Sequence, residues 1–398
     1  MTGEHRRRGL LRPRGGHEAG RVTFVELFFD LVFVFAVTQL SHTLAAHPTV
    51  GGALETGMLF LAVWWVWIFT SWVTNWLDPE RTPVRLLLLG LMFAGLILSS
   101  SLPSAFAGGA LVFATAYSVM QVGRCLFMLW ALKGHAPGNH RNFQRITAWL
   151  STSALLWIGG ALLGGTGQFA LWGAALVIEY LSPIAGFWTP GLGRSTTADW
   201  DVEGSHMAER CALFIIIALG ESILVTGATF AEHARSLEAL SAFSVAFVGS
   251  VALWWIYFDK GAEHATQRIA SSADPGRLAR IAYTYLHLPI VAGIIVGAVG
   301  DERMLAHPQD AANAASVAVI VGGPALSVLG ITLFKWINYD RWAPPLSHLV
   351  GLALFALLAV IGGNLSVLAL GAAATAVLLL VALWETRALG RHTGTSRT

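Results

Sequence analysis

Charge is what the 398-residue sequence has least of: Asp, Glu, Lys and Arg together make up 12% of it, against about 25% in soluble proteins. That scarcity, with 55% hydrophobic residues and a mean hydropathy of +0.62, excludes a water-soluble globular domain and points to an integral membrane protein. Cysteine is nearly absent. Cys125 and Cys211 fall inside apolar stretches, where they read as small core side chains, so neither a disulfide framework nor a thiolate metal site is expected. The formal net charge is +2, and no long basic run with interleaved aromatics occurs, so no nucleic-acid partner is expected. The N-terminus, MTGEHRRRGLLRPRGGHEAGR, has no short apolar stretch ending in a small-residue cleavage site. It is expected to stay on the protein as a disordered basic cytoplasmic tail, residues 1–22. No HExxH arrangement, glycine-rich phosphate loop, nucleophile elbow or nucleotide fingerprint appears in a credible context, so no metal and no cofactor is expected and nothing commits the chain to catalysis.

What the sequence has in abundance is apolar windows of helical length. A bilayer core of roughly 30 Å takes about 20 residues of helix, and about twelve such windows run through the chain: 24–45, 54–77, 84–101, 106–132, 146–164, 168–188, 208–230, 238–259, 278–298, 312–335, 346–362 and 364–387. The fold class expected is all-α, a polytopic membrane helix bundle. Between the last two windows Gly362-Gly363-Asn364 must make a very tight turn. With the N-terminus cytoplasmic, nearly every Lys and Arg falls in cytoplasmic segments and only Arg235 and Arg303 lie outside. The positive-inside rule then places both termini in the cytoplasm, in the inner (plasma) membrane.

An internal repeat is suggested by two matches, the second shifted by six further residues that the loop absorbs. Trp64-Trp65 falls on Trp254-Trp255, and the Asp78-Pro79 turn falls on Asp274-Pro275. About the same offset as the tryptophan pair lays Asp30 over Glu221 and His42 over His233. Two parallel six-helix repeats follow, 23–188 and 207–388, related by an axis roughly along the membrane normal, with a cytoplasmic linker at 189–206 and a tail at 389–398.

The candidate site residues are the ionisable groups inside these windows. Glu26 and Asp30 are four apart on the first helix, hence on one face. Taking Arg21 as the boundary, Asp30 lies roughly 13 Å deep and Glu26 roughly 7 Å. An Asp at a helix centre costs about 2.5–3.5 kcal/mol on insertion scales, so it calls for a partner, a proton or a hydrated cavity; a structural interhelix bond and a place on a transport path both stay open. Glu221 is the deepest acid of the second half, and Gly220 beside it is expected to admit another helix closely. Arg124 is expected to pair with Glu26, Asp30 or Glu179, or else to snorkel. Arg210, next to Glu209 at a helix entrance, reads as structural. Among the membrane-proximal imidazoles His42, His206, His233, His287 and His348, His287 lies inside a helix just before Pro289, where a kink is expected. It is either a proton relay or a satisfied core histidine. The tryptophans at 64, 65, 67, 72, 76, 254 and 255 read as interface anchors and packing residues rather than a cage for a quaternary amine.

Three stretches carry a family resemblance: ELFFDLVFVFAVTQLSH after a basic start, HMAERCALFIIIALGES from His206 to Ser222, and YLHLPIVAGIIVG from Tyr285 to Gly297. They resemble the bacterial low temperature requirement protein A (LtrA) family over nearly the whole chain, a family named for growth in the cold, which implies no particular chemistry. The Phe28-Phe29-Asp30 element also resembles the F-S-D motif of a family of two-repeat, twelve-helix potassium and proton channels, with Phe29 in place of the serine and Gly220-Glu221-Ser222 in the second half. That resemblance implies an ion pathway.

The leading expectation is a membrane transporter or channel moving a small cation, proton or small solute past Asp30 and Glu221, with Glu26, Arg124 and His287 along the pathway and His42, His233, Glu179 and Glu209 as secondary candidates. Its partners would be the lipid bilayer and the transported ion or solute, and a homo-oligomer is compatible with it. A membrane-embedded enzyme acting on a lipid-linked or redox substrate through a carboxylate and His287 is the alternative. A sensor or scaffold, with its acids paired and no continuous polar cavity, is the third.

Overall fold

A computed structural model describes residues 9–12, 20–197, 200–232, 236–259, 261–339 and 342–394. Among the described residues there are helices and turns but no strand, only isolated bridges such as Leu11 with Leu77. The helices are α1 Phe24–Ala46, α2 Val50–Trp76, α3 Thr82–Ser101, α4 Ala110–Leu132, α5 Pro137–Leu163, α6 Gly165–Leu181, α7 Gly204–Glu232, α8 Leu237–Phe258, α9 Gly261–Ala270, α10 Pro275–Leu278, α11 His287–Ala306, α12 Ala314–Ile320, α13 Gly322–Asn338, α14 Leu346–Ile361 and α15 Val367–Gly394. Among the described residues, 11 helical segments are long and apolar enough to cross a membrane. The remaining window of the twelve is α6, a helix of 17 residues. Large apolar side chains such as Phe24, Leu155 and Val360 stand exposed, as lipid-facing positions do, since hydrocarbon satisfies them and water does not.

Local chemistry explains where the boundaries differ from the windows. Pro137 opens α5 in its first turn, a position where the missing N–H is harmless, so the helix starts well before residue 146. Helices α5 and α6 meet at Gly164 and Gly165, both at positive φ (68° and 52°), which glycine tolerates and which lets two helices join without a loop. Helix α6 stops at Leu181 rather than 188, because Pro183 follows and the chain turns through Gly186 at φ 61°. The tight turn at Gly362–Asn364 is a single 3-10 turn.

Two segments are broken. Between α10 and α11 the chain runs as a π-helix over Ala279–Tyr285, and the amide of Leu286 reaches back five residues to the Ile281 carbonyl at 3.0 Å. The interruption therefore lies just upstream of the kink that Pro289 suggested. The window 312–335 is split at Val321 into α12 and α13. Pro324 has no N–H to give the Ile320 carbonyl, so the helical ladder is interrupted there.

The chain divides into two compact units: Met1–Thr43, Val50–Arg210 and Ala270–Arg280 form the first, and Leu44–Thr49, Cys211–Ile269 and Ile281–Thr398 the second. In the first, α3 packs on α4, α4 on α5 and α5 on α6, with α2 against α4 and α6. In the second, α11 packs on α13, α13 on α14, α14 on α15 and α15 on α8. The contact of α11 with α13 is made through glycine: a Cβ on Gly293 would stand 2.4 Å from the Ser327 amide nitrogen, and one on Gly323 2.5 Å from the Gly297 amide nitrogen. Small residues at such spacing let backbones touch and gain dispersion energy where lipid offers no hydrophobic drive.

Part of the stretch expected to be a disordered tail is ordered. The Arg12 amide donates to Trp76 O at 2.9 Å, the Asp78 amide donates to Leu10 O at 2.8 Å, and Leu10 and Arg12 are buried. Arginine is retained there because its guanidinium finds three acceptors, described below.

Candidate functional site

Three helical stretches within the first unit each present polar side chains at a spacing of four: Glu26 and Asp30 on α1, Trp67, Ser71 and Asn75 on α2, and His206 and Arg210 in the opening turns of α7. That spacing stacks them on one face of each helix, about 6 Å apart along the axis. Glu26 meets His206 and Asp30 meets Arg210, while Trp67 meets Asp30 and Asn75 meets His206, so the side chains meet in two layers.

In the first layer Glu26 is the centre. Its Oε1 accepts from His206 Nε2 at 2.8 Å, and its Oε2 accepts from Arg12 Nη2 at 3.1 Å and from the Thr23 amide and hydroxyl, each at 2.9 Å. Arg12 also donates to Thr74 O and Arg21 O. The tautomer of His206 follows from Asn75. The Glu203 amide donates to Asn75 Oδ1 at 2.9 Å and Asn75 Nδ2 donates to Glu203 O at 2.8 Å, which fixes the amide orientation. Nδ2 is then a donor toward His206 Nδ1 at 3.2 Å, leaving the ring proton on Nε2, where it faces Glu26.

In the second layer Asp30 receives Arg210 through two parallel bonds, Nη2 to Oδ1 at 2.8 Å and Nη1 to Oδ2 at 2.9 Å. Trp67 Nε1 donates to Oδ1 at 2.8 Å. Arg210 spends its other N–H groups on Glu26 O at 3.0 Å and on Ser71 Oγ, and its charge lies over the Trp67 ring, 5.6 Å from the centroid. Glu26, Asp30, His206 and Arg210 are each 0% exposed. Bidentate, fully donated carboxylates are the form in which charge survives in a low dielectric. The two acids on the greasy first helix are thus answered by two bases at the same spacing on α7, and Arg210 belongs to this site rather than merely to a helix entrance.

A second cluster of this unit surrounds Glu179 on α6. Trp157 Nε1 donates to Oε1 at 3.1 Å, and the Ser153 hydroxyl and the Tyr117 hydroxyl donate to Oε1 and Oε2. Gln121 Nε2 donates to the Tyr117 oxygen at 3.0 Å. Arg124 joins the chain through Gln121 Oε1 and also donates to Val66 O at 3.0 Å and Thr70 Oγ1 at 2.7 Å. Its Nε is buried with no partner among the described residues. The carboxylate expected against Arg124 is not in contact with it: Glu179 is reached only through Gln121 and Tyr117, and Glu26 and Asp30 are taken by other cations.

The second unit has its own polar groups. Lys335 Nζ on α13 binds both oxygens of Glu385 on α15, at 2.7 and 2.8 Å, and Ile256 O at 2.6 Å. His348 Nε2 lies 3.1 Å from Glu385 Oε2 and its Nδ1 3.0 Å from Thr332 Oγ1. For His287, Nδ1–H donates to Ala282 O at 2.8 Å inside the π segment and Tyr257 donates its hydroxyl proton to Nε2 at 2.7 Å, so both ring nitrogens are engaged. Glu221 is buried. A Cβ on Gly220 would meet nothing within 4 Å among the described residues, so no close helix approach is made there. Asp301 on α11 accepts from Ser222 Oγ at 3.2 Å.

Of the secondary candidates, His42 is exposed, Glu209 is half-buried and accepts from the Val22 amide at 3.2 Å, and His233 lies outside the described residues. Lys335, Glu385 and Asp301 were not expected; they stand near helix ends in the sequence, where charge ordinarily marks an interface. Trp64 and Trp65 are buried core residues at 1% and 0% exposure, whereas Trp254 and Trp255 are 45% and 44% exposed, so the pairs matched by the repeat sit in opposite surroundings.

A family model described as bacterial low temperature requirement A protein (LtrA) matches residues 21–383. The chain is similar to an uncharacterized protein of Rhizobium meliloti (strain 1021), 41% identical over 369 residues that make up 93% of this chain and 90% of that relative. No solved structure matches. The two-layer cluster draws on two of the stretches that carried the resemblance, ELFFD and HMAER, and the family match spans them both: the chain belongs to the bacterial low temperature requirement A (LtrA) family.

Proposed function

We propose that this protein is a multi-pass inner-membrane transporter or channel for a small cation, a proton or a small solute, with both termini cytoplasmic and two parallel six-helix repeats. The observation that carries the reading is the Asp30–Arg210 pair with the Glu26–His206 pair one turn away. Ionisable groups are costly inside apolar helices and are concentrated, in membrane proteins, where ions or solutes pass. A paired acid and base on two different helices also form an element with two arrangements, closed on each other or opened by a competing ion. A parallel repeat is supported by the succession of packed helices in each unit, and by a glutamate held by side chains of the two preceding helical segments in both (Glu179 and Glu385). Glu221 and Arg124 remain candidates for the path on the strength of their burial.

The sensor or scaffold reading is favoured by one specific feature, the complete hydrogen-bond satisfaction of Glu26 and Asp30. Flux of protons and of monovalent cations into liposomes containing the purified protein separates the two. Transport lost in Asp30→Asn and Glu221→Gln supports the pathway; wild-type flux in both variants removes these residues from it, and absence of any flux in the wild type favours the scaffold.

A further inference from the structure

The second unit contains a partly open cavity of about 40 Å³. Its polar lining is Ser222 of α7, Ser250 of α8, Asp301 of α11 and Thr375 of α15. That is room for a few waters, or for one ion with part of its hydration. Three carboxylates, Glu26, Asp30 and Glu385, have buried ion pairs, each with a cationic side chain within 3.1 Å. Asp301 is different. Among the described residues its side chain accepts one hydrogen bond, from Ser222, and no Lys, Arg or His lines the cavity. The nearest base in sequence, Arg303, is turned to Ser316 Oγ at 2.7 Å. A carboxylate in a membrane helix without a protein counter-ion calls for a positive partner from elsewhere, a proton or hydration; Glu179, the other such acid, is held by three neutral donors, where Asp301 has one and a cavity beside it.

The surroundings suit a small hard cation. Ser222 Oγ stands 3.2 Å from Asp301 Oδ2 and 3.5 Å from Ser250 Oγ, so oxygens from three helices converge on the cavity. One carboxylate matches one positive charge. The cavity wall also includes Ile320 and Pro324, which flank the break between α12 and α13, so the carbonyl deprived of its amide donor belongs to a cavity-lining residue. Discontinuous helices that supply freed carbonyls beside a carboxylate are how membrane transporters hold a coupling ion.

We propose that this cavity is a binding site for a small monovalent cation, Na⁺ in the first instance, with Asp301 as the charged ligand and Ser222 and Ser250 as neutral oxygen ligands. The inference deepens the transport reading and rests on it for the purpose of the site, while binding itself is measured without flux. The full-length protein in lipid nanodiscs is titrated with NaCl against choline chloride at constant ionic strength, following the thermal unfolding midpoint and the uptake of radiolabelled Na⁺. The expected result is saturable, Na⁺-specific stabilisation and binding in the wild type, abolished in Asp301→Asn and weakened about tenfold, or ~1.4 kcal/mol, in Ser222→Ala. Equal midpoints in Na⁺ and choline for the folded wild type overturn it. So does Na⁺ binding unchanged in the variants, or a protonated-carboxyl infrared band at high Na⁺ that Asp301→Asn removes. If Asp301→Asn does not fold, the wild-type titration and Ser222→Ala decide. Na⁺ binding without flux leaves the site standing and removes the transport reading; flux without Na⁺ binding does the reverse.

Discussion

Arg210 meets Asp30 as a two-pronged pair, with both carboxylate oxygens accepting from the guanidinium at 2.8 and 2.9 Å, and neither side chain reaches the surface. Removing one member leaves the other charged and buried. Arg210→Ala and Asp30→Ala should each lower stability by about 3–5 kcal/mol. The double replacement Asp30→Leu with Arg210→Met removes both charges at similar volume and should come out between neutral and about 1–4 kcal/mol more stable than the wild type. Unfolding in nanodiscs measures all three. If the double variant regains stability but not flux, the pair serves transport; if it regains both, the pair is structural.

Glycine substitutions should divide sharply by position. On α11 and α13 a Cβ at Gly293 or Gly323 would sit 2.4–2.5 Å from backbone atoms of the facing helix, and backbone cannot yield as a side-chain tip does. Gly293→Ala and Gly323→Ala should each cost about 1–3 kcal/mol or more as overpacking. Gly220→Ala, with nothing within 4 Å, should be neutral or stabilising by up to about 1 kcal/mol through helix propensity. Thermal midpoints of the three variants in nanodiscs test the contrast.

Fluctuations in legibility follow the same physics. Helix existence was readable because lipid demands long apolar runs, and the acids were conspicuous because charge is rare in them. The bases are less legible. Arg210 stands next to Glu209 in sequence, but i and i+1 side chains on a helix face different ways, and its partner is Asp30. The useful signal was the matching spacing of Glu26-Asp30 and His206-Arg210, one pair acidic and one basic, on helices expected to be parallel. Lys335 and Glu385 were hidden by lying near helix ends, and Asp301 by lying next to Glu302 and Arg303, a triplet that resembles an ordinary solvent-facing terminus. The break at Val321 could have been found in Gly322-Gly323-Pro324, whereas the π segment upstream of His287 has no comparably local cause.

The proton on His206 should be found on Nε2. Asn75, oriented by the Glu203 backbone, donates to Nδ1, and a nitrogen that accepts carries no hydrogen. Solid-state NMR of nitrogen-labelled histidine should therefore show an unprotonated Nδ1 and a protonated Nε2 for this residue. Asn75→Leu removes the donor and should leave the Nδ1 resonance no longer hydrogen-bonded, with a loss of about 1–3 kcal/mol for the buried Glu203 amide and the ring nitrogen left unpaired. A doubly protonated ring in the wild type would contradict the assignment.

Glu179 on α6 and Glu385 on α15 are each held by side chains of the two preceding helical segments, yet their loss should not cost the same. Glu385 neutralises Lys335 directly, at 2.7 and 2.8 Å. Glu385→Gln leaves an ammonium in the membrane with only Ile256 O and neutral neighbours, and about 3–5 kcal/mol is expected to go. Around Glu179 the donors are Tyr117, Ser153 and Trp157, all neutral, and Arg124 is held elsewhere by Val66 O, Thr70 and Gln121. Glu179→Gln keeps one acceptor oxygen and strands no cation, so about 1–3 kcal/mol is expected. The rescue separates the mechanisms: Lys335→Met should restore most of the stability of Glu385→Gln, because the stranded charge is gone, whereas Arg124→Met should not restore Glu179→Gln, because it removes the donor that Val66 O, Thr70 and Gln121 rely on. Unfolding midpoints of the four variants in lipid nanodiscs decide it, and equal losses at the two glutamates would mean that Arg124 feels Glu179 through Gln121 and Tyr117 as strongly as Lys335 feels Glu385 in contact.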